Sequence, residues 1–230
     1  MTEEQNLAKE AVRTGEGSGC SSLFEPVFCS GGVSTREDHL WNAAALRLLG
    51  DVYVFVATGP RSDGDWASDA LAVMHRTVRD PRGWTALDWD RDNEVRQIQP
   101  AYPFDPPAVS EFPRQLHPLT PESAVGLLAV MTEEWQSEPA PVRSRPDREA
   151  VLTDARSLLA RYGPHTRFWT NAEAAAADPA AEFVTAGLAN TRSHGFATSE
   201  YYRGLDILDD VGLVAVSDDE VGLFWSFGAY

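Results

Sequence analysis

The chain has little basic charge and almost no lysine. Its 230 residues include 19 lysines and arginines against 35 aspartates and glutamates, and the formal net charge is -16. Lys9 is the only lysine, a bias that we attribute to GC-rich codons and not to recognition chemistry. An acidic surface repels phosphate groups, which disfavours general binding to nucleic acids and to anionic membranes. A basic protein is therefore the expected partner.

Long apolar runs are also missing. The longest uninterrupted ones, such as 52–57, are far shorter than the roughly 20 residues that a membrane-spanning helix needs. Residues 1–19 contain four glutamates where a secretion signal would have a basic start and an apolar stretch. We therefore expect a cytoplasmic protein without a membrane segment. With 43% hydrophobic residues, the chain still has enough apolar surface for a folded core.

Cysteine occurs only as Cys20 and Cys29. Their spacing would allow a disulfide across a loop, but a reducing cytoplasm favours free thiols. No second cysteine pair or nearby histidine completes a zinc site. The alternating carboxylates at 88–93 lack the glycine and the glutamate that a calcium loop requires. The sequence therefore predicts no metal and no cofactor.

Proline and glycine divide the chain. Residues 1–22 are polar and end in a stretch rich in glycine and serine, so we predict a flexible N-terminal arm followed by a single α+β domain over 23–230. A connector at 100–121 contains seven prolines, which exclude regular helix and most sheet pairing. Aromatic and aliphatic residues are spread through this connector, and we expect it to lie pinned against the domain.

The hydrophobic pattern predicts a mixed, mainly antiparallel sheet covered by about five helices. A capping box at 34–37 begins the first helix, and Gly50 is expected to end it in a left-handed conformation. Residues 51–57 are apolar on both faces, which is typical of a strand covered on two sides. The predicted helices are 35–49, 66–78, 121–136, 147–162 and 171–190, the third and fourth forming an antiparallel pair. Thr120 and Pro121 begin the third, and the last is capped by Asn171 and restarts or bends at Asp178-Pro179. The predicted strands are 51–57, 84–90, 95–99, 166–170, 205–208, 211–216 and 221–227.

One candidate site lies at the 58–65 loop, where the chain passes from a strand to a helix. Such loops often hold ligands in α/β sheets. Asp63 and Asp65 in this loop, together with His194 in a polar loop, would be the acid or base groups of a small enzyme. The competing interpretation is that acids at a helix start act through capping and the helix dipole. No nucleophile, dinucleotide or paired-cysteine motif accompanies these residues.

A second candidate site is the C-terminal part of the chain. Residues 200–230 combine seven acids with one base and are rich in aromatic residues. Aromatic side chains supply contact area and carboxylates attract positive charge, a combination expected of a surface that captures a basic protein. The competing interpretation, which we favour for Phe224, Trp225 and Phe227, is that the aromatics fill the core and the acids occupy turns. The predicted partner-binding residues are Tyr201, Tyr202, Asp206, Asp209, Asp210, Asp218, Asp219 and Glu220.

The sequence therefore favours a small acidic interaction protein, for instance an inhibitor of the immunity or antitoxin type that binds a basic protein. Two alternatives stay open: a small enzyme with a cleft near the 58–65 loop, and a structural subunit whose C-terminal hairpin pairs with a second copy in a homodimer. The positions of the acids in the fold distinguish these functions. One continuous negative face supports capture, whereas an even scatter supports solubility alone.

Overall fold

A computed structural model describes seven stretches of the chain: 36–50, 54–62, 64–78, 99–133, 140–191, 193–198 and 207–229. The predicted N-terminal arm, both cysteines (Cys20 and Cys29) and the predicted hairpin at 84–99, except for Gln99, lie outside these stretches. The helices are α1 (Arg36–Leu49), α2 (Trp66–Met74), α3 (Pro121–Val130), α4 (Arg148–Ala160), α5 (Ala174–Ala177) and α6 (Phe183–Ala186). The strands are β1 (Val54–Pro60), β2 (His117–Leu119), β3 (Arg167–Thr170), β4 (Ile207–Val216) and β5 (Glu220–Ala229).

The five strands form one sheet in the order β1-β5-β4-β3-β2. Every pair of neighbours is antiparallel, so the predicted α+β class is confirmed and no parallel pair occurs within the described sheet. The central hairpin joins β4 to β5 through a turn in which the N–H of Ser217 donates to the carbonyl oxygen of Glu220 at 2.9 Å. No helix in the described stretches has the length and apolarity to cross a bilayer.

Helices α1, α3 and α4 cover one face of the sheet. Alternation along β1 directs Val54 and Val56 into this core, while Phe55 and Ala57 belong to the core on the other face. The predicted strand is thus covered on both sides. The predicted helix pair is confirmed, because α3 and α4 pack against each other.

Helix α2 and the proline-rich connector cover the opposite face. Phe104 of the connector lies edge-on to Phe55 and Trp225, with ring centroids 5.1 and 5.6 Å away. The guanidinium of Arg76 lies 5.1 Å from the ring of Phe55 and donates to the carbonyl oxygens of Pro100 and Tyr102, each at 2.8 Å. Burial lowers the pKa of Arg76 to about 10. The connector is therefore pinned to the domain, as predicted.

The structure refines the sequence prediction at Gly50 and at 171–190. Gly50 follows α1 as expected, but its φ is not left-handed. Glycine is needed there because an added Cβ would lie 2.4 Å from the carbonyl oxygen of Leu46. At 171–190 only the single turns α5 and α6 form, and they are separated at Asp178-Pro179, where the sequence predicts that the helix restarts or bends. Between them Asp178 is extended and precedes proline, which interrupts the helix.

Candidate functional site

A groove of about 600 Å³ opens between the start of α3 and the part of α4 from Leu152 onwards. β3 lies at its base, and the segment 180–184 that leads into α6 forms one wall. We refer to this cavity as the α3–α4 groove. The base is apolar, and its side chains belong to or pack against the core on the helical face of the sheet. These side chains are Val125, Leu152, Leu159, Phe168 and Val184.

Hydrogen bonds fix the wall of the α3–α4 groove against the start of α3. The hydroxyl of Thr120 caps α3 by accepting from the N–H of Ser123 at 3.2 Å, with Pro121 in the first turn, as the sequence predicts. The N–H of Thr120 donates to the carbonyl oxygen of Pro179 at 2.9 Å. The hydroxyl of Ser123 donates to the carbonyl oxygen of Ala181 at 2.7 Å. The groove is therefore held by the fold itself.

Three exposed charged side chains line the α3–α4 groove. Glu122 lies on α3, Glu182 on the wall segment and Arg156 on α4. None of the three makes a hydrogen bond or ion pair with another described residue. A third exposed acid, Asp178, lies just before the wall segment and accepts from the N–H of Ala180 at 2.9 Å. The groove thus combines an apolar base with two unpaired carboxylates and one unpaired guanidinium.

A second cleft, of about 740 Å³, lies between α1 and α4. Its charged residues already have partners in the chain. Arg47 binds Asp154, with 2.6 Å between Nη2 and Oδ1, and Arg161 binds Glu220 through two hydrogen bonds of 2.7 and 2.8 Å. A smaller cleft of about 430 Å³ at the β4–β5 turn is lined by the exposed acids Asp218 and Asp219. We take the α3–α4 groove as the candidate site because it combines unpaired charge with an apolar base.

The acids predicted for a C-terminal binding surface do not lie together in the described stretches. Asp209 is exposed near the start of β4, and Asp218 and Asp219 are exposed on the turn after the end of β4. A strand rises about 3.3 Å per residue, so the two exposed groups are roughly 20 Å or more apart. Glu220 is half-buried in its ion pair with Arg161. These side chains form two separate acidic groups.

Asp210 lies in the interior, which corrects its assignment to the binding surface. Its side chain is buried, with the residue 3% exposed. Oδ1 accepts from Asn171 Nδ2 at 2.9 Å and from Trp225 Nε1 at 2.8 Å, and Oδ2 accepts from the N–H groups of Phe196 and Ala197, both at 2.7 Å. Burial raises the pKa of Asp210, and these hydrogen bonds oppose the shift only in part.

Asn171 completes this network, although the sequence predicts it as a helix cap. Its Nδ2 also donates to the carbonyl oxygen of His194 at 2.7 Å, and its Oδ1 accepts from the N–H of Gly212 at 2.7 Å. The N–H of His194 donates back to the carbonyl oxygen of Asn171 at 3.0 Å. Asn171 and Asp210 therefore hold the segment 193–198 against the sheet.

The structure does not bring Asp65 and His194 together. Asp65 caps α2, since its Oδ1 accepts a hydrogen bond from the N–H of Ala67 at 3.2 Å. This is the capping role that the sequence offers as the alternative to catalysis. His194 is exposed. The rings of Trp66, Phe112 and Phe196 lie in series between the two sites, with centroid separations of 6.0 and 5.5 Å. No group of three His, Cys, Asp or Glu side chains within the described stretches could hold a metal ion.

Four predicted site residues lie outside the described stretches: Asp63, Tyr201, Tyr202 and Asp206. No sequence pattern marks the α3–α4 groove, because α3, α4 and the wall segment are separated along the chain and only the fold brings them together. Comparisons with protein-family models, with curated proteins and with solved structures found no match. The function therefore has to be inferred from the residues of this chain.

Proposed function

We propose that the protein is an acidic interaction protein that binds a basic protein partner at the α3–α4 groove. The observation that carries this proposal is the placement of Glu122 and Glu182, exposed and unpaired within the described residues, above an apolar base. Carboxylates attract a positively charged partner and raise the rate of encounter. The apolar base supplies surface whose burial stabilises the complex.

An inhibitor of the immunity or antitoxin type would use such a site to cover a basic active site of its target in the cytoplasm. The net charge of -16 supports a cationic target over nucleic acid. A small enzyme near the 58–65 loop and a structural homodimer stay open as alternatives. The C-terminal acids stay a second candidate surface, represented by Asp218 and Asp219 on the β4–β5 turn.

The proposal is tested by titrating the protein with a short peptide that contains lysine and leucine, and measuring affinity by calorimetry at low and high salt. We expect binding at low salt that weakens as salt screens the charges. The double variant Glu122→Gln/Glu182→Gln should weaken binding severalfold. Asp218→Asn/Asp219→Asn removes the same charge from the turn and should leave binding nearly unchanged.

Two results would contradict the proposal. The first is the absence of salt-dependent binding to the wild-type protein. The second is a larger loss in Asp218→Asn/Asp219→Asn than in Glu122→Gln/Glu182→Gln, which would move the binding surface to the C-terminal hairpin. Glu122 and Glu182 line the α3–α4 groove, whereas Asp218 and Asp219 do not. All four side chains are exposed, so circular dichroism should show the same fold in each variant.

A further inference from the structure

We infer that the segment bound in the α3–α4 groove is amphipathic: an apolar side chain of the partner inserts between α3 and α4, and basic side chains beside it face the carboxylates. This inference rests on the proposed function and goes further, because it states what the groove selects. Charge alone would allow any polybasic segment to bind. The composition of the groove argues for a narrower class.

The base of the groove calls for an apolar anchor. Leu152, Leu159 and Phe168 are core residues that keep 5–7% of their surface exposed, and all three line the groove. Val125 and Val184 are half-buried beside them. A volume of about 600 Å³ lies within the range of roughly 300–1,000 Å³ found for clefts that bind small ligands. Lysine or arginine alone would leave this apolar surface without a complementary contact.

Arg156 disfavours a purely basic occupant. It is exposed on α4, lines the same groove and has no hydrogen-bond or ion-pair partner in the described stretches. A guanidinium can only donate hydrogen bonds, and it repels a second cation placed beside it. The α4 side of the groove therefore suits backbone carbonyl oxygens of an extended segment. Basic side chains are directed to the opposite side, where Glu122 and Glu182 lie.

The arrangement discriminates by repulsion as well as by attraction. A polybasic segment gains the two carboxylates but meets Arg156, whereas an apolar segment without basic residues leaves the carboxylates unpaired. Because hydrogen bonds from Thr120 and Ser123 already fix the wall, little ordering of the groove is required on binding. The groove is thus suited to one class of segment.

The test compares two peptides of equal length and charge: one alternates lysine with leucine, and the other alternates lysine with serine. Calorimetry at low salt should show the leucine peptide binding about tenfold more tightly or better, as expected when one large aliphatic side chain is buried. A leucine side chain that stays exposed to water in the complex adds no affinity. A difference in affinity between the two peptides therefore measures the burial of leucine in the groove.

Two tryptophan variants locate the effect. Ala180→Trp places a large ring in the groove, where Ala180 is exposed and part of the lining. Ala189→Trp adds the same ring at an exposed position outside the lining and is the matched control. We expect Ala180→Trp to abolish the preference for leucine while retaining salt-dependent binding, and Ala189→Trp to behave as wild type.

The outcomes separate the inference from the proposed function. If both peptides bind equally to the wild type, or if Ala180→Trp keeps the preference for leucine, the amphipathic selection is wrong and capture of a basic partner still stands. If neither peptide binds the wild type at low salt, the proposed function fails as well. Circular dichroism of both tryptophan variants distinguishes loss of the groove from loss of the fold.

Discussion

Substitution of Asp210 by alanine tests whether the buried carboxylate holds the structure together. The wild-type carboxylate accepts four hydrogen bonds, two at each oxygen. In Asp210→Ala, the indole N–H of Trp225 and the N–H groups of Phe196 and Ala197 lose this acceptor. Asn171 Nδ2 retains the carbonyl oxygen of His194.

The expected cost follows from the number of donors left without an acceptor. Each unsatisfied buried donor costs about 1–3 kcal/mol. Removal of a buried charge offsets part of that cost, because the wild-type carboxylate is itself desolvated. We therefore expect a loss of about 3 kcal/mol in the free energy of unfolding near neutral pH, which is large for a single domain. The exposed neighbour Asp209→Ala should change it by about 0.5 kcal/mol or less.

The pH dependence has a definite sign. Burial raises the pKa of Asp210 in the folded state above the ordinary value of 3.8. The folded state then binds the proton more tightly than the unfolded state, so the contribution of Asp210 to stability is full below pH 3.8 and declines as pH rises through the folded pKa. Each unit of pKa shift adds about 1.4 kcal/mol to the difference between wild type and Asp210→Ala in acid.

The assay is urea unfolding of both proteins and of Asp209→Ala, followed by far-ultraviolet circular dichroism from acidic to neutral pH. A difference between wild type and Asp210→Ala that grows as pH rises would show that the hydrogen bonds outweigh burial. An Asp210→Ala protein as stable as Asp209→Ala would refute the structural role of the network. Either result would contradict the reasoning.

Two further substitutions test the packing of the sheet and of α1. Gly212→Ala should destabilise the protein by about 1–3 kcal/mol, because the added Cβ would lie 2.2 Å from the ring of Trp225. Gly126→Ala is its matched control, since the added methyl makes an ordinary 3.5 Å contact, and thermal unfolding should show no loss. Trp41→Phe removes the hydrogen bond from the indole N–H to the carbonyl oxygen of Leu158 and should cost about 1 kcal/mol in urea unfolding. A wild-type midpoint for Gly212→Ala or Trp41→Phe would contradict the assigned contact.

Elements with strong local signals could be predicted from the sequence. The apolar period of three and four gives α1, and the hydroxyl cap with Pro121 gives the start of α3. The polar turn between two apolar runs gives the β4–β5 hairpin. Each signal lies within a few residues, where backbone preference and side-chain capping decide the structure. The end of α3 was less predictable, because α-helix stops at Val130 and a single 3₁₀ turn follows.

Contacts between distant parts of the chain could not be predicted in the same way. The partners Asn171 and Asp210 are 39 residues apart, and Asn171 has no local pattern that distinguishes it from a surface residue. One signal for Asp210 was present: it is in phase with Gly212, Val214 and Val216, so the period of two places it on a covered face of the strand. The α3–α4 groove offered no such signal.

The strand order has a consequence for biosynthesis. β4 and β5 occupy the middle of the described sheet but come last among its five strands in the chain. Until 207–229 have left the ribosome, β1 has no neighbour in this sheet and both cores lack residues such as Phe224 and Trp225. Translation that stops before this hairpin would release a chain with two incomplete apolar layers, a substrate for chaperones and proteases.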